Sequence, residues 1–460
     1  MPEKKKILLN AFNMNSVGHI NHGLWTHPRD QSHRYKTLAY WTSLAKTLER
    51  GLFDGVFLAD IIGVYDVYQA STDLTVKESI QLPVNDPMML ISAMAAVTKN
   101  LGFGVTVNVN SDAPYLFARR MSTLDHLTDG RLGWNIVTGY LDSAARALGQ
   151  DAQAEHDSRY DRADEYLEVL YKLWEGSWDD DAVLLDKERR IFADPGKIRP
   201  IKHDGEFYRS HGYYLSEPSL QRTPVLYQAG TSGRGRQFAA RHAECVFITG
   251  SDKSSARTVA RALRQEAGVA GRRPEDIKIL VGVTVVTGAT TSEAKEKHAE
   301  YLRYANPEAG LAHFSAGTGI DFSKYDLDEQ IAYGTSNAIQ SQTQLAKQRG
   351  WTKRQLLGEL ATGGRYPTIV GDGSEVANEL ASWIEEGEID GFNLTRTVVP
   401  ESYEDFVEHA VPALQDRGVY KTRYDEGSLR RKIFGDDDKL PKRHPADAFR
   451  FFRRGAETAS

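Results

Sequence analysis

The sequence predicts an α/β protein folded as a (β/α)8 barrel, the TIM-barrel architecture, with long insertions. Three observations lead there. Apolar runs of strand length alternate with segments of helical spacing along most of the chain. The strands are continuously apolar rather than alternating, as expected of a parallel sheet covered by helices. Eight such runs can be counted, the number at which a parallel sheet closes on itself.

The first strand is ILLNAF (7–12), followed by a long polar segment and the helical pattern YWTSLAKTLERGL (40–52). FDGVFLAD (53–60) reads as a buried strand, and DPMMLISAMAAVTKN (86–100) as a helix with Asp86 as cap and Pro87 in its first turn. LGFGVTVNV (101–109) leads to helix PYLFARRMSTLDHL (114–127), and RLGWNIVT (131–138) leads across a loop to helix YDRADEYLEVLYKLW (160–174). The remaining strands are TPVLYQAG (223–230), CVFITG (245–250), IKILVGVTVV (277–286) and DGFNLTRTV (390–398), with YPTIV (366–370) as a further candidate. Residues of about 177–222 and 305–366 are too long for simple loops and read as insertions in a single 1–460 domain, with a C-terminal extension over about 419–460.

At 460 residues, 40% hydrophobic and 26% charged, the chain has ample material for a core. Its 57 basic and 63 acidic residues are interspersed and leave a net charge of −6. That pattern excludes the one-sided basic surface that nucleic acid or an anionic membrane selects. Cys245 is the single cysteine, which rules out an internal disulfide and a multi-cysteine metal site. The start, MPEKKKILLNAF, lacks the apolar core of a signal peptide, and the chain has no apolar stretch of about 18 residues. A cytoplasmic location is expected.

In such a barrel the active site forms at the C-terminal ends of the strands. That rule selects Asn10, Asp60, Asn108, Asn110, Asn135, Gly230 and Asn393. Asp60 also reads as a helix cap or a loop carboxylate, and its strand-end position points to the site. In NVN (108–110) an extended strand would place both carboxamides on one side. Asn135, next to Trp134, would complete a carboxamide-rich mouth suited to a flat ligand edge that donates and accepts. YQAGTSGRGRQFAARHA (227–243) is a strand, a glycine-rich turn carrying Thr231 and Ser232, and a helix beginning near Arg234. Such a turn suits a phosphate, or is simply a well-capped helix start. It is not a Walker loop, and the chain has no G-x-G-x-x-G run, so a Rossmann nicotinamide site is not indicated. HINHGLWTHPRDQSH (19–33) gathers His19, His22, His27 and His33 in one loop without matching carboxylates or cysteines, so it reads as a lid or pocket wall and no metal is expected. His156 and Tyr160 lie i, i+4 on one helix face.

These residues, with LERGLFDGVFLAD, SAMAAVT, PYLFARRMSTLDHLTDGRLGWNIVT, EHDSRYDRADEYLEVLYKLWEGSW, TPVLYQAGTSGRGRQFAA, DGFNL and FVEHAVPALQDRG, resemble the nitrilotriacetate, dibenzothiophene-sulfone and dimethyl-sulfide monooxygenases. Those are FMN-dependent enzymes of the bacterial-luciferase-like superfamily, with long-chain alkane monooxygenase nearby. The resemblance covers nearly the whole chain. It implies a barrel that binds reduced FMN supplied by a separate NAD(P)H:flavin reductase and uses O2 to oxygenate and cleave a small organic substrate of C–S, C–N or alkane type. Implied partners are that substrate, O2, the reductase and further copies in a homodimer or homotetramer.

The resemblance further implies that Asp60, Thr106 and Asn135 line the flavin ring, with Asn108 beside them. His156, Tyr160 and the turn of Gly230, Thr231, Ser232 and Arg234 would hold the ribityl phosphate. His19, Tyr65, Gln81 and His313, together with Asn110, fall on the substrate side, and Ser16 stands where the alkane-oxidising relative has a cysteine. The chain departs from its relatives at IVTG and ALG, with Gly139 and Ala147 to Gly149, and at VNSDAPY, where Asn110 and Ser111 replace a Thr and an aromatic. Loss of that aromatic would enlarge or polarise the pocket. The alternatives are a riboflavin-cleaving oxygenase that releases lumichrome, a deazaflavin-dependent oxidoreductase without oxygen chemistry, and a barrel that only binds a ligand.

Overall fold

The computed structural model describes residues 4–230, 232–331, 339, 350–364, 366–435 and 437–450. Among the described residues thirteen strands are formed. They are β1 (Leu8–Met14), β2 (Gly55–Ala59), β3 (Gly102–Asn108), β4 (Leu132–Val137), β5 (Val183–Asp186), β6 (Ile191–Ala193), β7 (Ile201–Asp204), β8 (Arg209–Gly212), β9 (Val225–Gln228), β10 (Cys245–Ile248), β11 (Lys278–Gly288), β12 (Thr368–Asp372) and β13 (Gly391–Thr395). Eight of them close a parallel barrel in the order β1-β2-β3-β4-β9-β10-β11-β13, with β13 returning to β1. Each of the eight expected strands is a stave. The further candidate at 366–370 becomes β12, which pairs with the second half of β11, from Thr284↔Thr368 to Gly288↔Asp372, and stands outside the closed ring.

Helix α1 (Leu38–Arg50) starts where the Thr37 hydroxyl accepts from Tyr40 N. It is followed by α2 (Asp73–Lys77), α3 (Met88–Ala95), α4 (Pro114–Leu127), α5 (Asp142–Ala147), α6 (His156–Trp174) and α7 (Gly233–His242). Pro114 opens α4 at the position where a missing N–H costs nothing. Helix α3 is shorter than its apolar pattern, and Asp86 Oδ1 accepts from Met88 N at 2.8 Å. Helix α6 begins four residues before the expected Tyr160, at His156. That extra turn brings His156 into helical register with Arg159 and Tyr160.

Alternation along β4 separates Trp134 from Asn135. Trp134 turns outward, donates to Val107 O at 3.0 Å and packs on Phe117 at 4.7 Å. Asn135 turns inward, as does Gly133, where a Cβ would lie 2.5 Å from the Tyr227 ring. Strand β3 ends at Asn108, so Asn110 is not in strand register with it. Asn110 sits in a turn in which its N–H donates to Asn108 Oδ1 at 2.9 Å.

Residues 183–212 form two antiparallel hairpins, β5–β6 and β7–β8. The β7–β8 turn is pinned to α6 by Glu165, whose carboxylate accepts from the N–H groups of Glu206, Phe207 and Tyr208. The N-terminal end of the barrel is plugged from the C-terminal segment. Leu429 and Ile433 join Phe12, Phe57, Tyr227 and Phe247 in the interior cluster. Next to them, Arg430 donates to Glu244 at 2.6 and 2.9 Å and to the carbonyls of Thr223 and Pro224.

The Arg430–Glu244 pair is buried on both sides, so removing one partner strands a charge. Arg430→Met and Glu244→Gln are each expected to cost about 3–5 kcal/mol in urea unfolding. The double variant Arg430→Met/Glu244→Gln should lose less than the sum of the two single changes. Additive losses would mean that the charges do not depend on each other.

Candidate active site

A cavity of about 200 Å3 opens at the C-terminal ends of β2, β3, β4 and β9 and runs outward to the starts of α6 and α7. Its inner end is formed by residues that the sequence placed there. Asp60 follows β2 directly. Burial pushes its carboxyl up to about 7, the Ile61 N–H opposes this, and the Asp86 carboxylate adds to it. Thr106 and Asn108 lie on the inward face of β3. Asn135 Nδ2 donates to Thr106 Oγ1 at 2.9 Å, while Asn135 Oδ1 is buried without a hydrogen-bond partner. Asn135 thus stands behind Thr106 rather than on the cavity wall.

At the outer end, His156, Arg159 and Tyr160 come from the first turns of α6, and Gln228, Gly230 and Ser232 from the β9–α7 turn. Ser232 caps α7: its Oγ accepts from Gly235 N at 3.2 Å and lies 3.2 Å from His156 Nε2. A Cβ on Gly230 would fall 2.3 Å from Gln228 Nε2 and 2.6 Å from Tyr160 Oη, and one on Gly235 would lie 2.8 Å from Ser232 Oγ. The glycines therefore let three polar side chains converge at one point. Thr231 lies outside the described residues.

Arg234 does not line this cavity. Its Nη2 donates to Asp161 Oδ1 at 2.9 Å and to Asp164 Oδ2 at 2.5 Å. The cation that does line it is Arg159, which sequence reasoning passed over. Its Nη1 donates to Ala154 O at 3.1 Å, and burial lowers its pKa, so a nearby anion would favour its charged form. The signal was present, since Arg159 stands i+3 from His156 and next to Tyr160 in HDSRY.

The substrate-side candidates form a second cluster. Tyr65 Oη donates to Gln81 Oε1 at 2.6 Å and lies 3.3 Å from Tyr140 Oη. The Tyr65 ring stacks on His313 at 5.0 Å, and His313 Nδ1 is 3.0 Å from His22 Nε2. Tyr140, also passed over, lines the cavity and links it to this cluster. His19 packs edge-on against Phe12 at 4.6 Å. Burial, then the charge of Arg396, lowers His22 to about 4 and holds His19 well below the usual histidine range, so both rings are neutral at pH 7. Gln81 holds φ at 55° and Ile20 at 60°, left-handed values that cost strain in such residues and gather beside this cluster. Asn110 and Ser111 are not on the cavity wall. They close the β3–α4 turn, where Ser111 Oγ donates to Asn108 O at 2.7 Å. Ser16 is buried and donates to Gly18 O at 3.0 Å. The loop histidines separate, with His27 facing Glu300 at 3.2 Å. Among the described residues, no three His, Cys, Asp or Glu side chains are grouped as metal ligands.

Because the Asp60 carboxyl titrates near 7 in the fold and near about 3.9 when exposed, it favours the fold while protonated and opposes it as the pH rises through 7. The ligand-free protein should therefore lose ~2–4 kcal/mol of stability relative to Asp60→Asn between about pH 4 and pH 7, and no more above that. Urea midpoints of the two proteins across this range measure the difference. Parallel curves would place the carboxyl in water.

The comparisons with known proteins agree with this geometry. A family model described as luciferase-like monooxygenase matches residues 20–390. The dimethyl-sulfide monooxygenase of Hyphomicrobium sulfonivorans is 48% identical over 99% of this chain and 96% of its own length. The long-chain alkane monooxygenase of Geobacillus thermodenitrificans is 49% identical over 97% and 98%. A crystal structure of a riboflavin lyase with modified FMN and riboflavin superposes with a TM-score of 0.92 at 38% identity, covering 97% of this chain and 100% of that one. No described helix is long and apolar enough to cross a membrane. A closed parallel barrel, a polar cavity at its strand ends and near-complete matches of this depth have one explanation: the chain belongs to the luciferase-like monooxygenase family.

Proposed function

We propose that this protein is the oxygenating component of a two-component system that uses reduced FMN and O2 to oxygenate a small organic substrate. The observation that carries the reading is the polarity of the cavity from end to end. Its inner end offers Asp60, Thr106 and the Asn108 carboxamide, and its outer end offers Gln228, Ser232, Tyr160, His156 and Arg159 around a helix start. The unpartnered oxygen Gln228 Oε1, on a residue that lines the cavity, calls for a donor. The N–H edge of an isoalloxazine and the hydroxyls of a ribityl chain supply such donors. The N-terminus of α7, the Ser232 and Tyr160 hydroxyls and the Arg159 guanidinium fit a phosphate.

Reduced FMN bound there supplies the two electrons with which O2 delivers one oxygen atom to the substrate and releases the other as water. The chain binds, orients and excludes water. Ile61, Ile62 and Leu141 form the apolar wall between the two polar ends. Tyr140, Tyr65 and Gln81 present a hydroxyl and carboxamide array to the substrate, backed by His313 and His22. Neutral His19 and His22 do not act as acids at pH 7. They orient their neighbours and offer acceptors.

The substrate class is that of the relatives, a small molecule oxygenated at a C–S bond, a C–N bond or an alkyl carbon. A second reading, cleavage of riboflavin to lumichrome, is favoured by the likeness to the riboflavin lyase. With no nicotinamide fingerprint in the chain, the electrons come from a separate reductase.

Two measurements test this reading. In an oxygen electrode, the protein with NADH and FMN alone should consume negligible oxygen. Adding a flavin reductase should start oxygen uptake, and dimethyl sulfide, a sulfone, an alkane or riboflavin added next should divert that oxygen from hydrogen peroxide to an oxygenated product. Robust NADH oxidation by the chain alone would overturn the two-component reading. In a binding titration, Arg159→Gln should weaken FMN by about 10- to 100-fold through loss of a charge-assisted bond, with riboflavin unchanged. Equal losses for both ligands would move the phosphate away from Arg159.

A further inference from the structure

The glycine-rich turn carries an arginine in the first turn of α7, where a cation opposes the helix dipole. Arg234 is tolerated there because its guanidinium leaves the helix axis and crosses to α6. It meets Asp161 and Asp164 at 2.9 and 2.5 Å and lies over the Tyr160 ring, 5.7 Å from its centroid. Asp164 is shared. Its other oxygen lies 2.7 Å from His242 Nε2 at the far end of α7, and His242 Nδ1 lies 3.0 Å from Tyr171 Oη, two turns further along α6. Burial works against the Asp164 charge, yet the His242 hydrogen bond and Arg234 hold its carboxyl below the usual range. Tyr160 is gripped between this guanidinium, Phe238 at 5.4 Å and His156 at 5.3 Å.

We propose that Arg234 and Asp164 are positioning residues, a clamp of α7 on α6 that fixes the Tyr160 hydroxyl and the Ser232 cap on one phosphate, with Arg234 itself making no contact to the ligand. The inference rests on the FMN reading above. It assigns a role to an arginine that sequence reasoning took for a phosphate ligand. It also separates the two arginines that flank Tyr160: Arg159 brings charge to the cavity, and Arg234 brings alignment.

The test is a set of FMN and riboflavin titrations on Arg234→Gln, Arg234→Lys, Asp164→Asn, Tyr160→Phe and the Tyr160→Phe/Arg234→Gln double variant. Arg234→Gln and Asp164→Asn should each weaken FMN by about tenfold and leave riboflavin within about twofold, a split that general loosening of the fold would not give. Arg234→Lys keeps the charge without the planar fork and should recover part of the loss. In the Tyr160→Phe background, Arg234→Gln should cost less than it does in the wild type, because one of the two groups it positions is gone. If Arg234 contacted phosphate directly, Asp164→Asn would release it, and FMN affinity would hold or rise; that result overturns the clamp. Parallel losses of FMN and riboflavin, or full additivity with Tyr160→Phe, overturn it too. A wild-type protein that bound riboflavin as tightly as FMN, in competition with it for one site, would instead overturn the FMN reading and the clamp with it.

Discussion

Pairing of β10 with β11, from Cys245↔Lys278 to Ile248↔Val281, closes the sheet, and the rest of the molecule is arranged around that closure. In the closed ring each stave has a partner on both edges, so no row of strand N–H or C=O groups is left for solvent or another chain. Closure also forces a strict division of side chains between the interior and the helical layer. Trp134 and Asn135 show the division within one dipeptide. Because all staves are parallel, their C-terminal ends share one mouth, and Asp60, Thr106 and Gln228 meet there although they lie far apart in the chain.

Interior packing decides where in that mouth a ligand can sit. Phe12 meets Phe247 at 5.2 Å, and Phe247 meets Tyr366 at 5.6 Å, filling the barrel beneath β1, β10 and β11. The open volume is displaced toward β2, β3, β4 and β9, the side that α6 and α7 approach. From below, the Leu429 and Ile433 plug and the Arg430–Glu244 pair seal the barrel. The polar groups at the top are thereby held in a low-dielectric setting, where a buried group without a partner is costly and a correctly placed ligand is strongly favoured.

That setting sets the charge of the site. Asp60 is drawn toward its neutral form, and His19 and His22 are neutral beside Arg396, whose Nη2 donates to the carbonyls of Ser16 and Val17. His19 and His22, next to the Tyr65, Gln81 and His313 cluster, are thus neutral hydrogen-bonding groups. On the cavity wall itself the arginine is at the α6 end, where Arg159 lines the cavity and Arg234 behind it is neutralised by two aspartates. The two ends of one cavity differ in charge because different strands and helices deliver them.

The eight staves, a cavity at their C-terminal ends and the glycine-rich turn into α7 were legible in the sequence by itself, because each is written locally in apolar runs, strand ends and glycine spacing. So was the membership of Asp60, Thr106, Asn108, His156, Tyr160 and Ser232 in one cavity, through resemblance and strand-end position. Tertiary structure alone decided the rest. A strand pattern cannot show whether an apolar run joins the ring or flanks it, and the extra length of β11 placed β12 outside. An Arg in a glycine-rich turn has the same local signature whether it faces a ligand or a neighbouring helix. The aspartates that turn Arg234 away are some 70 residues distant in sequence, and the same packing brought Arg159 and Tyr140 to the cavity. Direction of a long side chain is set by what packs across from it, and that information lies in the fold rather than in the neighbouring residues.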